Sequence, residues 1–221
     1  IQKNSKYNHQ IIVHVNSGED GTKEYLDKTK IDFTWTNENV GLCKAVNLAA
    51  KKSIYDYIVY SHDDFYFCPS WDEFFYNEIK NIGHENFYLS GTMFHEFEGK
   101  KLFCGENSKN FNEKILLNNY KKINFPDFQG STWAPHIVHK NIWNKVGGFS
   151  EEFFPGAGSD PDFAMKLWNE KVRLAQDIQG LNMLSKEWVY DNIFKLSRGE
   201  SDKQRETMIE DLKDRFRFRS I

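Results

Sequence analysis

Two acidic clusters carry the side chains best suited to chemistry. The first is Asp63-Asp64, preceded by His62 and placed directly after the apolar run Tyr55–Tyr60. Adjacent carboxylates repel unless something cationic lies between or beside them. A hard divalent cation, Mg²⁺ or Mn²⁺, suits their oxygens, above all when phosphates complete its shell. The alternative is a pair of solvated turn carboxylates. The second cluster is Ser159-Asp160-Pro161-Asp162, which follows a glycine-containing loop and opens a helical pattern. Ser159 or Asp160 could cap that helix, with Pro161 in its first turn. A cap and a catalytic carboxylate can share one cluster. One acidic site for a metal and another for base work is a layout that group-transfer chemistry needs.

The elements that must position these acids can be read from periodicity. Ile11–Val15 is a short β-branched run followed at once by turn chemistry in Asn16–Thr22. Lys23–Thr29 reads as a helix and Ile31–Thr36 as a second strand. Leu42, Ala45, Val46, Ala49, Ala50 and Ser53 share one helix face. Tyr55–Tyr60 is a third strand, and it delivers Asp63 and Asp64. Trp71–Ile82 reads as a helix ended by Gly83, and Phe87–Ser90 as a strand. Phe111–Lys122 and Pro135–Val146 read as helices, the second closed by Gly147-Gly148, and Pro155–Pro161 as irregular. Helical periodicity resumes over Asp162–Leu174. A late strand is expected within Gly180–Tyr190 and a charged helix over Ser201–Phe216. The alternation predicts an α/β fold with a mixed, mostly parallel central sheet flanked by helices.

Composition bounds the rest. The 221 residues are 39% hydrophobic and 28% charged, the values of a globular chain without extensive disorder. A net charge of -3 argues against a nucleic-acid partner. Three cysteines (Cys43, Cys68, Cys104) form no CxxC unit and suit a reducing, cytoplasmic setting. No run is long enough to span a membrane. The tail Asp214–Ile221 is basic and amphipathic. It reads either as a solvated terminus or as a weak contact for a membrane surface or a protein. Nothing divides the chain, so a single domain over 1–221 is expected.

The blocks taken together resemble the GT-A (Rossmann-like) glycosyltransferases, specifically the family 2 group. Ile11–Thr22 resembles that group's second strand and acidic nucleotide loop. Asn39-Val40-Gly41 with Ala45 and Asn47 resembles its Asn-x-Gly…Ala-x-Asn helix. Tyr57–Asp64 is similar to the strand leading to its acidic metal motif, and Trp71-Asp72 to the start of the following helix. Gly147–Glu152 resembles its Gly-Gly-Phe-Asp-Glu block, and Ser159–Asp162 its Glu-Asp-x-Asp segment.

The resemblance implies a metal-dependent, inverting transferase. It would move a sugar from a nucleoside-diphosphate donor to a saccharide, lipid-linked glycan or glycoprotein hydroxyl. It implies Glu19 and Asp20 near the base and ribose, and Asp64 as a direct Mn²⁺ or Mg²⁺ ligand. Asp63 would reach the ribose or the metal's outer shell, and Asp160 would be the general base. Lys44 and Asn47 could approach phosphate or ribose, although Lys44 also fits a solvent-facing helix position. Trp133 in Gln129–Trp133 could stack on an acceptor sugar or sit in the core. His136 and His139 read as structural or surface residues. Residues 1–130 would form the donor half, 131–200 the acceptor and base half, and 201–221 a terminal helix and tail.

This chain departs from the family pattern in three places. Ser61-His62 precede the paired acids, Ser159 stands where a Glu usually precedes the base, and Asp191 stands where a metal-binding His is common. Asp191 could serve as a third, oxygen ligand. Relatives also carry a strand–helix unit before the equivalent of Ile11, where this chain has ten residues, so that unit is expected to be missing. A nucleotide-sugar-binding module of the same fold with little activity is the alternative. A nucleotidyltransferase would share the paired acids, but no glycine-rich phosphate loop bearing Lys or Arg opens the chain.

Overall fold

The structure is a computed structural model, and it describes residues 1–91, 94–95, 100–106, 109–122 and 134–174. The chain divides into two compact units, Ile1–Gln179 and Gly180–Ile221, and the described residues all belong to the first. The strand and helix expected after Gly180, and the basic tail, lie outside the described residues.

Strand and helix alternate from the start: β1 (Ile12–Asn16), α1 (Thr22–Thr29), β2 (Asp32–Thr36), α2 (Gly41–Lys51), β3 (Tyr57–Tyr60), α3 (Trp71–Ile82) and β4 (Phe87–Ser90). Two short strands follow, β5 (Phe94–His95) and β6 (Lys100–Lys101), then α4 (Glu113–Asn119) running into a 3-10 turn, Tyr120–Lys122. Strand β7 (His136–His139) leads into α5 (Lys140–Val146). Helix α6 (Ser159–Asn169) and β8 (Arg173–Leu174) close the described part. No helix among the described residues is long and apolar enough to cross a membrane.

Strands β1 and β2 pair in parallel, Ile12 beside Asp32 through Asn16 beside Thr36. A second sheet has the order β3-β7-β4-β8. There β8 runs parallel to β4, whereas β7 is antiparallel to both β3 and β4. The architecture is thus mixed α/β, as expected, with one interior strand reversed.

Strand alternation gives the second sheet two different faces. On one, Phe87, Leu89 and Ile137 form a core with Val59 and with Phe75, Ile79 and Ile82 of α3. Burying each such side chain contributes about 1.5–3 kcal/mol. Helix α3 stops at Gly83, whose φ of 70° puts the chain in the left-handed region that glycine adopts without strain. On the opposite face, Tyr60, Tyr88, Ser90 and His136 lie under Phe149 and Phe163. Phe163 packs edge-on to Tyr88 (ring centroids 5.7 Å apart) and stacks over His136 (5.9 Å).

Two elements differ from the sequence reading. Residues 136–139 form a strand and not the start of a helix. All four are buried, so the run lacks the alternation that marks a half-exposed strand. Helix α6 begins at Ser159, earlier than Asp162, and ends at Asn169 short of the expected Leu174, with Arg173–Leu174 paired as β8. Pro161 falls in its first turn, where the missing N–H has no intrahelical partner to lose.

Candidate functional site

The site is built from one row of side chains across three strands. His136 on β7 pairs with Tyr60 on β3 and with Ser90 on β4, so all three point to the same face. Tyr88 lies two residues before Ser90 on that face. His136 and Tyr88 are fully buried and Tyr60 nearly so. The His136 ring lies 5.0 Å from that of Tyr60 and 4.8 Å from that of Tyr88.

Asp160 meets this row from the first turn of α6. Its Oδ1 lies 3.7 Å from His136 Nε2, while its side chain keeps 28% exposure. The carboxylate therefore has one oxygen in the interior and part of its surface in solvent. The buried side-chain atoms without a hydrogen-bond partner among the described residues are Tyr60 Oη, Tyr88 Oη, Ser90 Oγ, both His136 ring nitrogens and Asp160 Oδ1. They belong to this one face. Buried polar atoms are nearly always bonded, so such a concentration sets this face apart from the rest of the described core.

Electrostatics tie the two acidic clusters to the same phenol. Burial pushes the Tyr60 hydroxyl far above its ordinary pKa, and the charges of Asp160, Cys43 and Asp64 add to the effect. Tyr88 is raised by burial, with Asp160 and Tyr60 adding. Burial lowers the pKa of His136, against the pull of Asp160, so its ring stays neutral. Cys43 on α2 is raised mainly by burial, with Ser159 opposing and Asp160 and Asp162 adding.

Asp63 and Asp64 sit in the exposed turn that follows β3. His62 sets its ring edge-on to Tyr60 at 5.5 Å, which ties the turn to the buried row. Among the described residues no group of three or more His, Cys, Asp or Glu side chains could hold a metal ion. Asp63 and Asp64 are two hard carboxylates on a solvent-facing turn. That fits a Mg²⁺ or Mn²⁺ ion bound by one or two carboxylates and completed by substrate phosphate.

The loop after β1 is held from several sides. Val40 N–H donates to Asn16 Oδ1 at 3.0 Å, and Ser17 N–H to the Thr36 carbonyl at 3.0 Å. Gly18 has a φ of +74°, and a Cβ there would meet Lys23 and Val15. Asp20 Oδ1 accepts from Thr22 N–H at 3.0 Å just ahead of α1, and hydrogen bonds from the Thr22 side chain and backbone hold the carboxyl below its ordinary pKa. Glu19 is exposed beside it.

The glycine block after α5 joins two helices. Asn47 Nδ2 donates to the Phe149 carbonyl (2.9 Å) and to Glu151 (3.1 Å), and its Oδ1 accepts from Phe149 N–H (2.9 Å). From α6, Asp162 accepts from Ser150 Oγ at 2.5 Å, and Lys166 donates to the Gly148 carbonyl at 2.6 Å. Gly148 has a φ of +65°, and a Cβ on it would lie 2.3 Å from Asn47 Oδ1.

The structure thus brings Asp160, Asp64 and Tyr60 into one electrostatic neighbourhood and leaves Asp63 exposed beside it. Asn47 is buried with its amide engaged by protein, and Lys44 is exposed on α2. Trp133 and Asp191 lie outside the described residues. His136, read as structural or surface, is buried and adjoins Asp160. His139 is structural: its Nδ1 caps α5 by accepting from Asn141 N–H, and its Nε2 lies 3.4 Å from Glu85. Tyr60, Tyr88 and Ser90 carried no signal, since only strand register aligns them with His136.

A family model described as Glycosyl transferase family 2 matches residues 1–136. The match covers the first loop, the paired acids and the strands up to His136, and Asp160 lies beyond it. No curated protein matches the chain.

Proposed function

The chain belongs to glycosyl transferase family 2, and on that premise we propose that it transfers a sugar from a nucleoside-diphosphate donor to a hydroxyl group, with inversion at the anomeric carbon. The acceptor is a saccharide, a lipid-linked glycan or a glycoprotein. The observation that carries this reading is that Asp160 lies 3.7 Å from His136, which packs on the Tyr60 ring, while the turn bearing Asp63 and Asp64 meets the same ring through His62.

Asp160 is the base. Its partly exposed carboxylate takes the proton of the acceptor hydroxyl as that oxygen bonds to the anomeric carbon, while the bond from that carbon to the phosphate oxygen breaks. The nucleoside diphosphate leaves on the opposite face. Asp64 would hold a Mn²⁺ or Mg²⁺ ion, with Asp63 on the ribose or in the ion's outer shell. When bound, the ion neutralises charge that builds on the leaving diphosphate. Glu19 and Asp20 border the base and ribose, Lys44 approaches phosphate, and Trp133 stacks on the acceptor. Asn47 acts at one remove, holding the block Gly147–Glu152 against α2. In this reading residues 1–130 bind the donor and 131–200 bring the acceptor and the base.

Calorimetry with UDP-, GDP- and dTDP-sugars, with and without Mn²⁺, identifies the donor. Asp160→Asn should then keep donor affinity and lose turnover, read as release of the nucleoside diphosphate. Unchanged turnover overturns the base assignment. Donor binding without turnover in the native chain would leave a nucleotide-sugar-binding module of this fold.

A further inference from the structure

We propose that His136 is a positioning residue for Asp160: its Nε2–H anchors Oδ1 of the carboxylate and so leaves the second oxygen aimed at the acceptor proton. The proposal rests on the reading of Asp160 as the base.

The first ground is that His136 is costly as a packing residue. It is fully buried, with aromatic rings on several sides, and neither ring nitrogen has a hydrogen-bond partner among the described residues. Each such atom costs about 1–3 kcal/mol relative to a bonded one. A phenylalanine would fill the same space between Tyr60, Tyr88 and Phe163 without that penalty. The second ground is geometry. Asp160 Oδ1 is itself buried and unpartnered, and it lies 3.7 Å from Nε2. A closure of about 0.8 Å brings the pair to the length of a charge-assisted hydrogen bond. Two penalties would be removed by one small movement.

The protonation states suit this role. Burial keeps the His136 ring neutral, so it carries a single N–H. Among the described residues, the titratable groups that act on the pair include Tyr60 from β3, Tyr88 from β4, Cys43 from α2 and His62 from the turn. The two phenols and the thiol are pushed upward, so they are neutral too. With the ring proton on Nε2, Nδ1 becomes an acceptor on the face where the Tyr60, Tyr88 and Ser90 hydroxyls lack partners. A carboxylate held through one oxygen has fewer orientations, and its free oxygen spends more time in a reactive one.

The test uses the full chain and the variants His136→Phe and His136→Gln. Phe keeps the ring packing and removes the donor, whereas Gln restores an N–H at similar reach. His136→Phe should lower kcat on the order of tenfold, a fraction of the 10²–10⁴ that a placed base contributes. KM for the donor should stay within about twofold, the pattern of an interaction used only in the transition state. His136→Gln should recover most of the loss. A second readout needs no turnover: nitrogen NMR of the native chain should show neutral His136 with its proton on Nε2, and Asp160→Ala should shift that signal.

A folded His136→Phe with native kcat overturns the proposal, as does a ring proton on Nδ1. If His136→Phe fails to fold, the Gln variant and the NMR of the native chain still decide. If Asp160→Asn keeps its turnover, the base reading has failed. If that variant is dead while His136→Phe is fully active, only the present inference has failed.

Discussion

Asn47 on α2 and the backbone of Phe149 exchange two hydrogen bonds, each 2.9 Å long: the amide donates to the carbonyl and accepts from the N–H. Phe149 is almost fully buried, so neither backbone group has water to turn to. Asn47→Ala leaves both unpaired, at about 1–3 kcal/mol for each group. The expected loss of stability is about 3 kcal/mol by denaturant unfolding. Gly148→Ala should act in the same direction, because its φ of +65° is strained for alanine and its Cβ would lie 2.3 Å from Asn47 Oδ1. The two losses should combine less than additively, since they break one contact. A change below about 0.5 kcal/mol in Asn47→Ala, the usual range of surface substitutions, would show that the pair contributes little.

This pair also marks how far sequence carried the fold. Helix α3 was legible because its signals are local: an apolar stripe, acids in the first turn and a glycine at its end. Strand β3 and the acids after it were legible for the same reason. The spacing of Asn47 and the glycine block was visible too, but that one would hold the other was not. Their bond spans more than a hundred residues and depends on how α2 lies over the loop. His136 is the sharper case. Nothing beside it in the chain is acidic, and its relation to Asp160 exists only because β7 inserts between β3 and β4 while α6 crosses that face.

Asp72 should prove to be the anchor of the first ten residues. Its carboxylate is buried at the start of α3 and accepts from Lys6 N–H at 3.0 and 2.8 Å, from Tyr7 N–H at 2.8 Å and from His9 Nε2 at 2.8 Å. Asp72→Asn turns one acceptor oxygen into an N–H₂ group that faces other donors. The expected loss is about 2 kcal/mol, within the range of about 1.5–3 kcal/mol for hydrogen bonds to a charged group. Limited proteolysis should cut sooner between residues 1 and 10 than at any loop of the site. An unchanged cleavage pattern would overturn the anchor.

Stability should fall in two stages on acidification. Burial lowers the pKa of His136 and of His14, so each is more easily protonated in the unfolded chain, where the reference value is 6.5. Their contribution is complete above that value and is lost as pH falls below it toward the folded pKa. Asp72 gives the second stage. Burial raises its carboxyl, but the Lys6 and Tyr7 N–H groups and His9 more than offset this and hold it below its ordinary value of 3.8. Its contribution is complete above that value and is lost as pH falls through the lower, folded one. Denaturant midpoints measured from pH 8 to pH 3 should therefore drop first below about 6.5 and again below about 4. A flat profile between pH 7 and pH 5 would remove both histidines from the argument.

Asp64 and Asp160 should separate cleanly in binding experiments. Both charges reach Tyr60, yet Asp64 stands on an exposed turn and Asp160 has an oxygen in the interior. If Asp64 holds the ion, Asp64→Ala should weaken donor binding at least about tenfold in Mn²⁺, since even outer partners of a metal site are worth that much. In chelator the native chain and Asp64→Ala should bind alike, because the carboxylate acts through the ion. Asp160→Asn should follow the native chain in both conditions, because a base contributes to the transition state and not to donor affinity. Calorimetry of the three proteins, each with and without Mn²⁺, reads all of this at once. Equal losses for Asp64→Ala with and without the ion would mean that Asp64 touches the donor directly and that the metal is held elsewhere.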